Sequence, residues 1–295
     1  MKLYAPKYYN DFVCIADKCR HSCCIGWEID IDDKTAKKYA AFKDGYGKII
    51  KESVDFEDTP HFKLKANDRC PHLADSGLCN IILNLGDSCL CDICREHPRF
   101  YNYTSRGKEV GLGMSCEEAA RIILNSDEYS DMIELGEVNG EPEAAEINAV
   151  PLREKIYSLL SDTSVTYTEK LQTIYDAFGV SPSVHTDVEW REMLGSLEYL
   201  DEAHKELFAK YSSDISTPEC LEKPLTRALA YFIYRHTSEA YDEADFIASL
   251  GFCLFTERLL ASIASDNIAE AARIISEELE YSEDNTEAIK FEFLF

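Results

Sequence analysis

Ten of the twelve cysteines of this 295-residue chain fall within its first 116 residues, at Cys14, Cys19, Cys23, Cys24, Cys70, Cys79, Cys89, Cys91, Cys94 and Cys116. Cys220 and Cys253 stand apart from them. A packed core needs no such crowding, because an isolated buried cysteine is only a small hydrophobe. Thiols concentrated in this way point to a metal, an iron–sulfur cluster or a disulfide framework.

The compartment decides among these three. The opening stretch MKLYAPKYYNDF has no basic head followed by an apolar run, so a secretory signal is not expected. The longest apolar run, near Phe246 to Phe255, is closed by Glu257 and Arg258. It falls short of the roughly twenty residues that a membrane span needs. The expectation is a soluble, cytoplasmic protein with no membrane association, and there thiolates bound to metal are common while disulfides are rare. A chain of this length also buries a core without staples.

Charge separates the two halves. Residues 1–120 carry 17 Lys+Arg against 19 Asp+Glu, and residues 121–295 carry 13 against 36, which together give the net charge of −25. A nucleic-acid partner would need a basic face, and this balance argues against one. The acidic half suits solubility, and it would also steer a basic partner.

Patterning predicts a mainly α protein: a loop-rich, cysteine-rich, metal-binding N-terminal domain with minor β over residues 1–136, then an acidic all-helical domain over 149–295. Trp27 to Asp32 alternates apolar and acidic residues, the period of a half-buried strand. Asp32 or Asp33 can cap a helix through Lys34–Tyr39. His61–Lys65 reads as extended before a turn at Asn67-Asp68, and Ile81–Leu85 is a short apolar run of either type. Ser115 with Glu118 has the capping-box pattern, which would place Cys116 in the first helical turn, where the dipole favours a thiolate. Residues 137–148 are acidic and contain Gly and Pro, as expected of a linker. Beyond them Trp190, Leu194, Leu197, Leu207, Phe208 and Tyr211 suit one helix face, Leu221, Leu225, Leu229, Phe232 and Ile233 another, with Thr217-Pro218 or Pro224 as its start, and Ala269–Leu279 a third. These stripes read as core. No internal repeat is visible.

The cysteines fall into two arms, Cys14-x4-Cys19-x3-Cys23-Cys24 and Cys70-x8-Cys79 with Cys89-x-Cys91-x2-Cys94, and Cys116 stands alone. Structural zinc favours paired two-residue spacings, which only Cys91 and Cys94 show. Irregular spacing with adjacent cysteines suits an iron–sulfur centre better, because neighbouring side chains can serve different atoms or different sites, and zinc remains the alternative. Cys70-Pro71 echoes the Cys-Pro step of bacterial ferredoxins. His21, His72 and His97 lie beside the cysteines and read as neighbours of a centre more than as ligands. Arg95 and Arg99 follow Cys94 closely and offer guanidiniums for an anionic cofactor or a substrate carboxylate, with pairing to Glu96 as the alternative. No dinucleotide-binding, P-loop or H-E-x-x-H pattern is present, and no C-x3-C-x2-C cluster motif of the radical S-adenosylmethionine type.

Taken in order, Cys14-Ile-Ala-Asp-Lys-Cys19-Arg-His-Ser-Cys23-Cys24-Ile-Gly26-Trp27, then Cys70-Pro71-His-Leu73 through Gly77-Leu78-Cys79, then Cys94-Arg95-Glu-His-Pro98-Arg99, then Cys116-Glu-Glu-Ala119-Ala120-Arg121 resemble the blocks of the flagellin lysine-N-methylase family. The smaller zinc- or iron-chelating CxxxCC proteins share the core of this pattern, and the longer opening with Cys14 and Gly26-Trp27 favours the methylases. The resemblance covers about residues 1–125.

It implies methyl transfer to lysine ε-amines of flagellin, S-adenosylmethionine as donor, and an iron–sulfur cluster of the 4Fe-4S type. It selects Cys14, Cys19, Cys23, Cys24, Cys70, Cys79, Cys94 and Cys116 as ligands for two four-ligand sites, or for one site plus structural thiols. Cys89 and Cys91 fall outside it. Arg95 and Arg99 would take the donor's carboxylate. The acceptor lysine must be neutral, which calls for a base or a desolvated pocket; Glu28, Asp30 and Tyr4 are candidates without one being singled out. The competing readings are a non-enzymatic zinc- or iron-binding protein and an electron-transfer protein.

Overall fold

The computed structural model describes residues 1–141, 145–214, 216–264 and 267–294. It is mainly α with minor β. Strands run over Lys2–Pro6 (β1), Val54–Asp55 (β2), His61–Phe62 (β3), Arg99–Thr104 (β4), Gly107–Leu112 (β5) and Met132–Glu137 (β6). Helices run over Asp33–Ala40 (α1), Gly45–Ser53 (α2), Asn80–Leu85 (α3), Asp92–Glu96 (α4), Glu117–Asn125 (α5), Ala149–Ser161 (α6), Tyr167–Phe178 (α7), Asp187–Ser196 (α8), Ala203–Phe208 (α9), Glu219–His236 (α10), Glu243–Ile263 (α11), Ile268–Ile275 (α12) and Glu283–Phe291 (α13).

The chain forms two compact units, and they do not follow the 1–136 and 149–295 division suggested by composition. One unit is Val13–Arg99 with Cys116–Glu118; the other is Met1–Phe12, Phe100–Ser115 and Ala119–Phe295. Strand pairing is the reason. β1 lies parallel to β5, with Leu3 opposite Lys108, and antiparallel to β6, with Ala5 opposite Ile133, in a sheet ordered β4-β5-β1-β6. The N-terminal residues therefore belong with the helices. Gly107 makes the β1–β5 approach possible: its φ is +145°, and a Cβ there would sit 2.4 Å from the Lys2 carbonyl oxygen. Among the described residues beyond Asn148 the elements are helical, but they share their unit with this sheet instead of forming a separate all-α domain.

In this unit the expected stripes are largely buried, with Leu207 and Leu221 half-buried. Trp190 and Leu194 lie on α8 and Phe208 on α9, so the expected single face is divided between two helices. α10 begins after Pro218 and buries Leu225, Leu229, Phe232 and Ile233. It packs on α11. α11 corrects the expected short apolar run. It is 21 residues long because Glu257 and Arg258 lie inside it, paired with each other, with Tyr167 donating to Glu257 at 2.6 Å. By length and apolarity α11 could cross a membrane, and 83% of its most apolar stretch is buried within the protein. Glu109 of β5 and Arg153 of α6 form a fully buried bidentate pair, both contacts at 2.7 Å, with Arg106 and Ser238 completing the set. The expected linker begins where β6 ends, and Glu146 and Ile147 donate to the Tyr241 carbonyl oxygen; residues 142–144 of it lie outside the described residues.

The cysteine-rich unit has its own core of Ile29, Ile31, Tyr39, Ile50, Val54, Phe62, Leu73 and Ile81. Ile29 and Ile31 are buried and Asp30 exposed, as the alternation predicts, but the expected strand over Trp27–Asp32 reduces to a single Asp30–His61 bridge, with Phe62 N donating to Ile29 O and Ile31 N donating to Pro60 O. Asp32 caps α1 by accepting from Thr35 N at 2.9 Å. Its second oxygen accepts from Asp92 N at 3.0 Å, so one carboxylate ties the starts of α1 and α4 together. The Asn67-Asp68 turn forms with both residues at positive φ.

Candidate metal centre

All ten N-terminal cysteines lie in the cysteine-rich unit. Three stand immediately before helices: Cys79 before α3, Cys91 before α4 and Cys116 before α5. At such positions unpaired backbone N–H groups and the helix dipole favour a thiolate. Cys79 accepts from the N–H groups of Ile81 and Ile82 and Cys91 from that of Cys94, although burial is the larger influence at Cys79 and raises it. The expected Ser115 cap does not form. α5 starts at Glu117, so Cys116 precedes the helix, and the buried Ser115 Oγ has no hydrogen-bond partner among the described residues.

Backbone pairing assembles the rest. Cys70 N donates to Cys24 O at 2.8 Å, beside a bridge between Ile25 and Arg69. Leu73 bridges Cys79, closing the loop that carries Pro71 to Leu78. Gly77 turns at φ +81°, where a Cβ would meet the Asp17 Cα at 3.3 Å, so the loop passes close to the Cys14–Cys19 segment. Tyr39 donates its hydroxyl to Cys89 O at 2.6 Å. Glu117, in the first turn of α5, accepts from the backbone N and the Nε of Arg20, both at 2.8 Å, and fastens the Cys19–Cys24 loop beside Cys116.

The thiols perturb one another. Cys24 accepts from the Cys23 and Cys70 thiols and is held well below the ordinary thiol range, while both donors are raised. Cys91 is likewise lowered by a hydrogen bond from Cys94, which is raised in turn. Cys19 is pushed up to about 11 by burial and by the neighbouring Cys116 sulfur. Sulfurs that share protons in this way are the donor set a thiophilic cation binds, because the cation replaces the shared protons. The residues present therefore fit a thiolate-held metal or iron–sulfur group. Cys91, which falls outside the blocks of the resemblance, shares a proton with Cys94, and its signal in the sequence is the two-residue spacing between them.

The neighbouring histidines divide by role. His72 is buried, with Nδ1 2.9 Å from the Tyr46 hydroxyl and Nε2 2.8 Å from Ser53 Oγ. Because Ser53 Oγ donates to Ile50 O, it accepts from His72 Nε2–H, so both ring nitrogens are occupied and His72 is structural. Burial lowers His97 to about 4, which keeps it neutral. Arg95 pairs with Asp92 and Glu96, and Arg99 Nη1 donates to Glu96 O at 3.4 Å.

In the other unit, ligating atoms of His204, Glu277 and Glu278 lie within 4.8 Å of one another. Glu278 accepts there from Leu200 N, Asp201 N and His204 Nδ1, and Glu277 pairs with Arg273, which accounts for the group as a helix-terminus network.

No family model matches the chain, and no solved structure matches it. The flagellar biosynthetic protein FliU of Salmonella muenchen is 29% identical over 161 residues, which covers 52% of this chain and 94% of that protein. The lysine-N-methylases of Salmonella choleraesuis (strain SC-B67) and Salmonella typhimurium (strain LT2) are each 32% identical over 127 residues, covering 41% of this chain. The chain spans 32% of the length of those two relatives. The likeness to lysine-N-methylases implied by the cysteine blocks is thus found, over part of the methylases' length, beside a likeness to nearly the whole of FliU.

Proposed function

We propose that this chain is a protein-lysine N-methyltransferase that acts on flagellin, with S-adenosylmethionine as methyl donor and a cysteine-ligated iron–sulfur centre of the 4Fe-4S type. The observation that carries the reading is the similarity to lysine-N-methylases of a chain whose cysteines gather in one compact unit. The ligands would come from Cys14, Cys19, Cys23, Cys24, Cys70, Cys79, Cys94 and Cys116, joined by Cys91. A cytoplasmic setting, which keeps thiols reduced, belongs to the same proposal.

In the transfer itself the lysine nitrogen lone pair attacks the donor methyl carbon, the carbon–sulfur bond breaks, a neutral thioether leaves, and the nitrogen loses a proton to a base or to water. The bound centre would supply thiolate-held redox chemistry next to this reaction. Arg95 and Arg99 would hold the donor's carboxylate, and Arg95 must then exchange the Asp92 carboxylate for it. The acidic surface would gather the lysine-bearing partner.

The test is anaerobic purification with iron, sulfide and zinc analysis, followed by mass spectrometry of flagellin incubated with the protein and S-adenosylmethionine. A brown protein that adds methyl groups to lysines is the expected result. A colourless zinc protein that leaves flagellin unmodified overturns it. A second reading, a non-enzymatic zinc- or iron-binding protein, is favoured by one observation: the chain spans only 32% of the methylases. Absence of S-adenosylmethionine binding by calorimetry in a metal-loaded sample selects that reading.

A further inference from the structure

We propose that a cleft in the larger unit binds a small aromatic carboxylate, with the acid group on the Arg258 guanidinium and the Tyr175 and Tyr211 hydroxyls and the ring against Trp190 and Phe255. This site lies in a different unit from the ten clustered cysteines and does not depend on the methyltransferase reading.

The cleft has a volume of about 240 Å3 and is walled by α7, α8, α11 and the segment that follows α9. Phe255 and Arg258 stand three residues apart on α11, so they share a face. Trp190 of α8 lies on Phe255 with ring centroids 4.2 Å apart, and Tyr211 stacks on Phe255 at 5.0 Å. These three side chains are buried, whereas Thr168, Gln172 and Ser181 at the mouth are exposed. An aromatic floor of this kind takes the flat, weakly hydrated body of a ligand. The space is below the roughly 300–1,000 Å3 of drug-sized sites, which sets the buried part of the ligand near one ring in size.

Hydrogen-bond accounting identifies the head group. Arg258 directs Nε and Nη2 to the two oxygens of the buried Glu257, at 2.6 and 2.5 Å, and Glu257 also accepts from the Tyr167 hydroxyl. These contacts fix the guanidinium and leave its Nη1 without a hydrogen-bond partner among the described residues. The Tyr175 and Tyr211 hydroxyls have none there either, although Tyr211 is only 3% exposed. A polar group so far from bulk water and without a partner is uncommon in a folded protein, and it suits an acceptor supplied by a ligand. Burial pushes Tyr175 up to about 12 and raises Tyr211 as well, so both hydroxyls keep the proton they donate.

The uncommitted groups are donors, which selects an acceptor-rich head. Because Glu257 already offsets the Arg258 charge, the site suits a monoanion such as a carboxylate better than a phosphate dianion. An ammonium finds the Glu257 oxygens taken. Asp214 at the mouth would favour a cation, but it is exposed and solvent screens it. S-adenosylmethionine also carries a carboxylate beside a ring, so a methyl donor and an unrelated aromatic acid share this chemistry.

The test uses the full chain carrying Trp27→Phe, which leaves Trp190 as its single tryptophan. Benzoate and phenylacetate are titrated against its emission, with benzamide, benzylamine and inorganic phosphate as comparisons. The expected result is a saturable change with the two acids and a response at least about tenfold weaker with the others. Tyr175→Phe combined with Tyr211→Phe removes only the two unpartnered hydroxyls, so the melting temperature should hold while acid affinity falls roughly tenfold or more. Competition by S-adenosylmethionine for the bound acid makes the donor the occupant and moves its carboxylate from Arg95 and Arg99 to Arg258; absence of competition assigns the cleft to a separate acid. No saturable response to either acid, an equal response to benzylamine, or full acid affinity in the doubly substituted chain overturns the site. None of these three results alters the outcome of the flagellin methylation assay, which tests the methyltransferase reading separately.

Discussion

Glu117 receives both the backbone N–H and the guanidinium Nε of Arg20 at 2.8 Å, so a carboxylate in the first turn of α5 holds the loop carrying Cys19 and Cys23 beside Cys116. The contact spans 97 residues of sequence, which shows how a cysteine isolated in the sequence joins the others.

Replacing Glu117 by Gln should hardly change global stability, because the Arg20 side chain is largely exposed and such pairs contribute about 0–1 kcal/mol. It should instead speed metal loss from the cysteines around Cys116, since one charge-assisted clamp on their loop weakens. Chelator-competition kinetics beside a urea titration check both halves. A large stability loss with unchanged release rates would refute the clamp.

Asp32 serves two helix starts, accepting from Thr35 N and Asp92 N. Asp32→Ala should cost about 1–2 kcal/mol, the upper range for loss of a cap, because two backbone donors lose their acceptor at once. Asp32→Asn should retain the Thr35 cap and part of that stability. Denaturant midpoints of the two variants give the comparison.

The Glu109–Arg153 pair is buried at 0% and 1% side-chain exposure, so its charges have no solvent to fall back on. Arg153→Met alone should cost up to about 3–5 kcal/mol, because the buried Glu109 carboxylate loses its bidentate partner and keeps only Arg106, and Glu109→Leu together with Arg153→Met should recover part of that loss. A double-mutant cycle in urea measures it. Equal losses in the single and double variants would mean that packing dominates instead of charge.

His204 donates its Nδ1–H to the buried Glu278 carboxylate at 2.6 Å. Burial lowers its affinity for a proton, but Glu278 outweighs this and the imidazole is raised above its ordinary value. A raised folded value means that the protonated form stabilises the fold. The contribution is complete below about pH 6.5, the unfolded value, and fades as pH rises through the folded one. Melting curves across that range should show a decline that His204→Gln abolishes.

The net charge of −25 predicts that the proposed methylation of flagellin, at fixed metal content, slows as salt rises from low to physiological ionic strength. A rate independent of salt would remove steering from the account.

What the sequence by itself determined is local or compositional. It supplied ten soft donor side chains in one stretch, the Asp32 cap of α1 through a side chain three residues from its partner N–H, the alternation that buries Ile29 and Ile31, and the apolar stripes of α8 and α10. These follow from neighbours along the chain, where pattern and geometry are the same information. Tertiary structure decided what depends on distant partners. Pairing of β1 with β5 and β6 drew the unit boundaries away from the change in composition. Salt pairing within the helix let α11 run past Glu257 and Arg258, because a buried carboxylate is tolerated once a guanidinium and a tyrosine hydroxyl satisfy it. The Ser115 cap, plausible by spacing, gave way to a helix that starts at Glu117, where Arg20 occupies the first turn. Spacing limits which cysteines can meet; which of them do is set by contacts such as Arg20–Glu117, whose partners lie far apart in sequence.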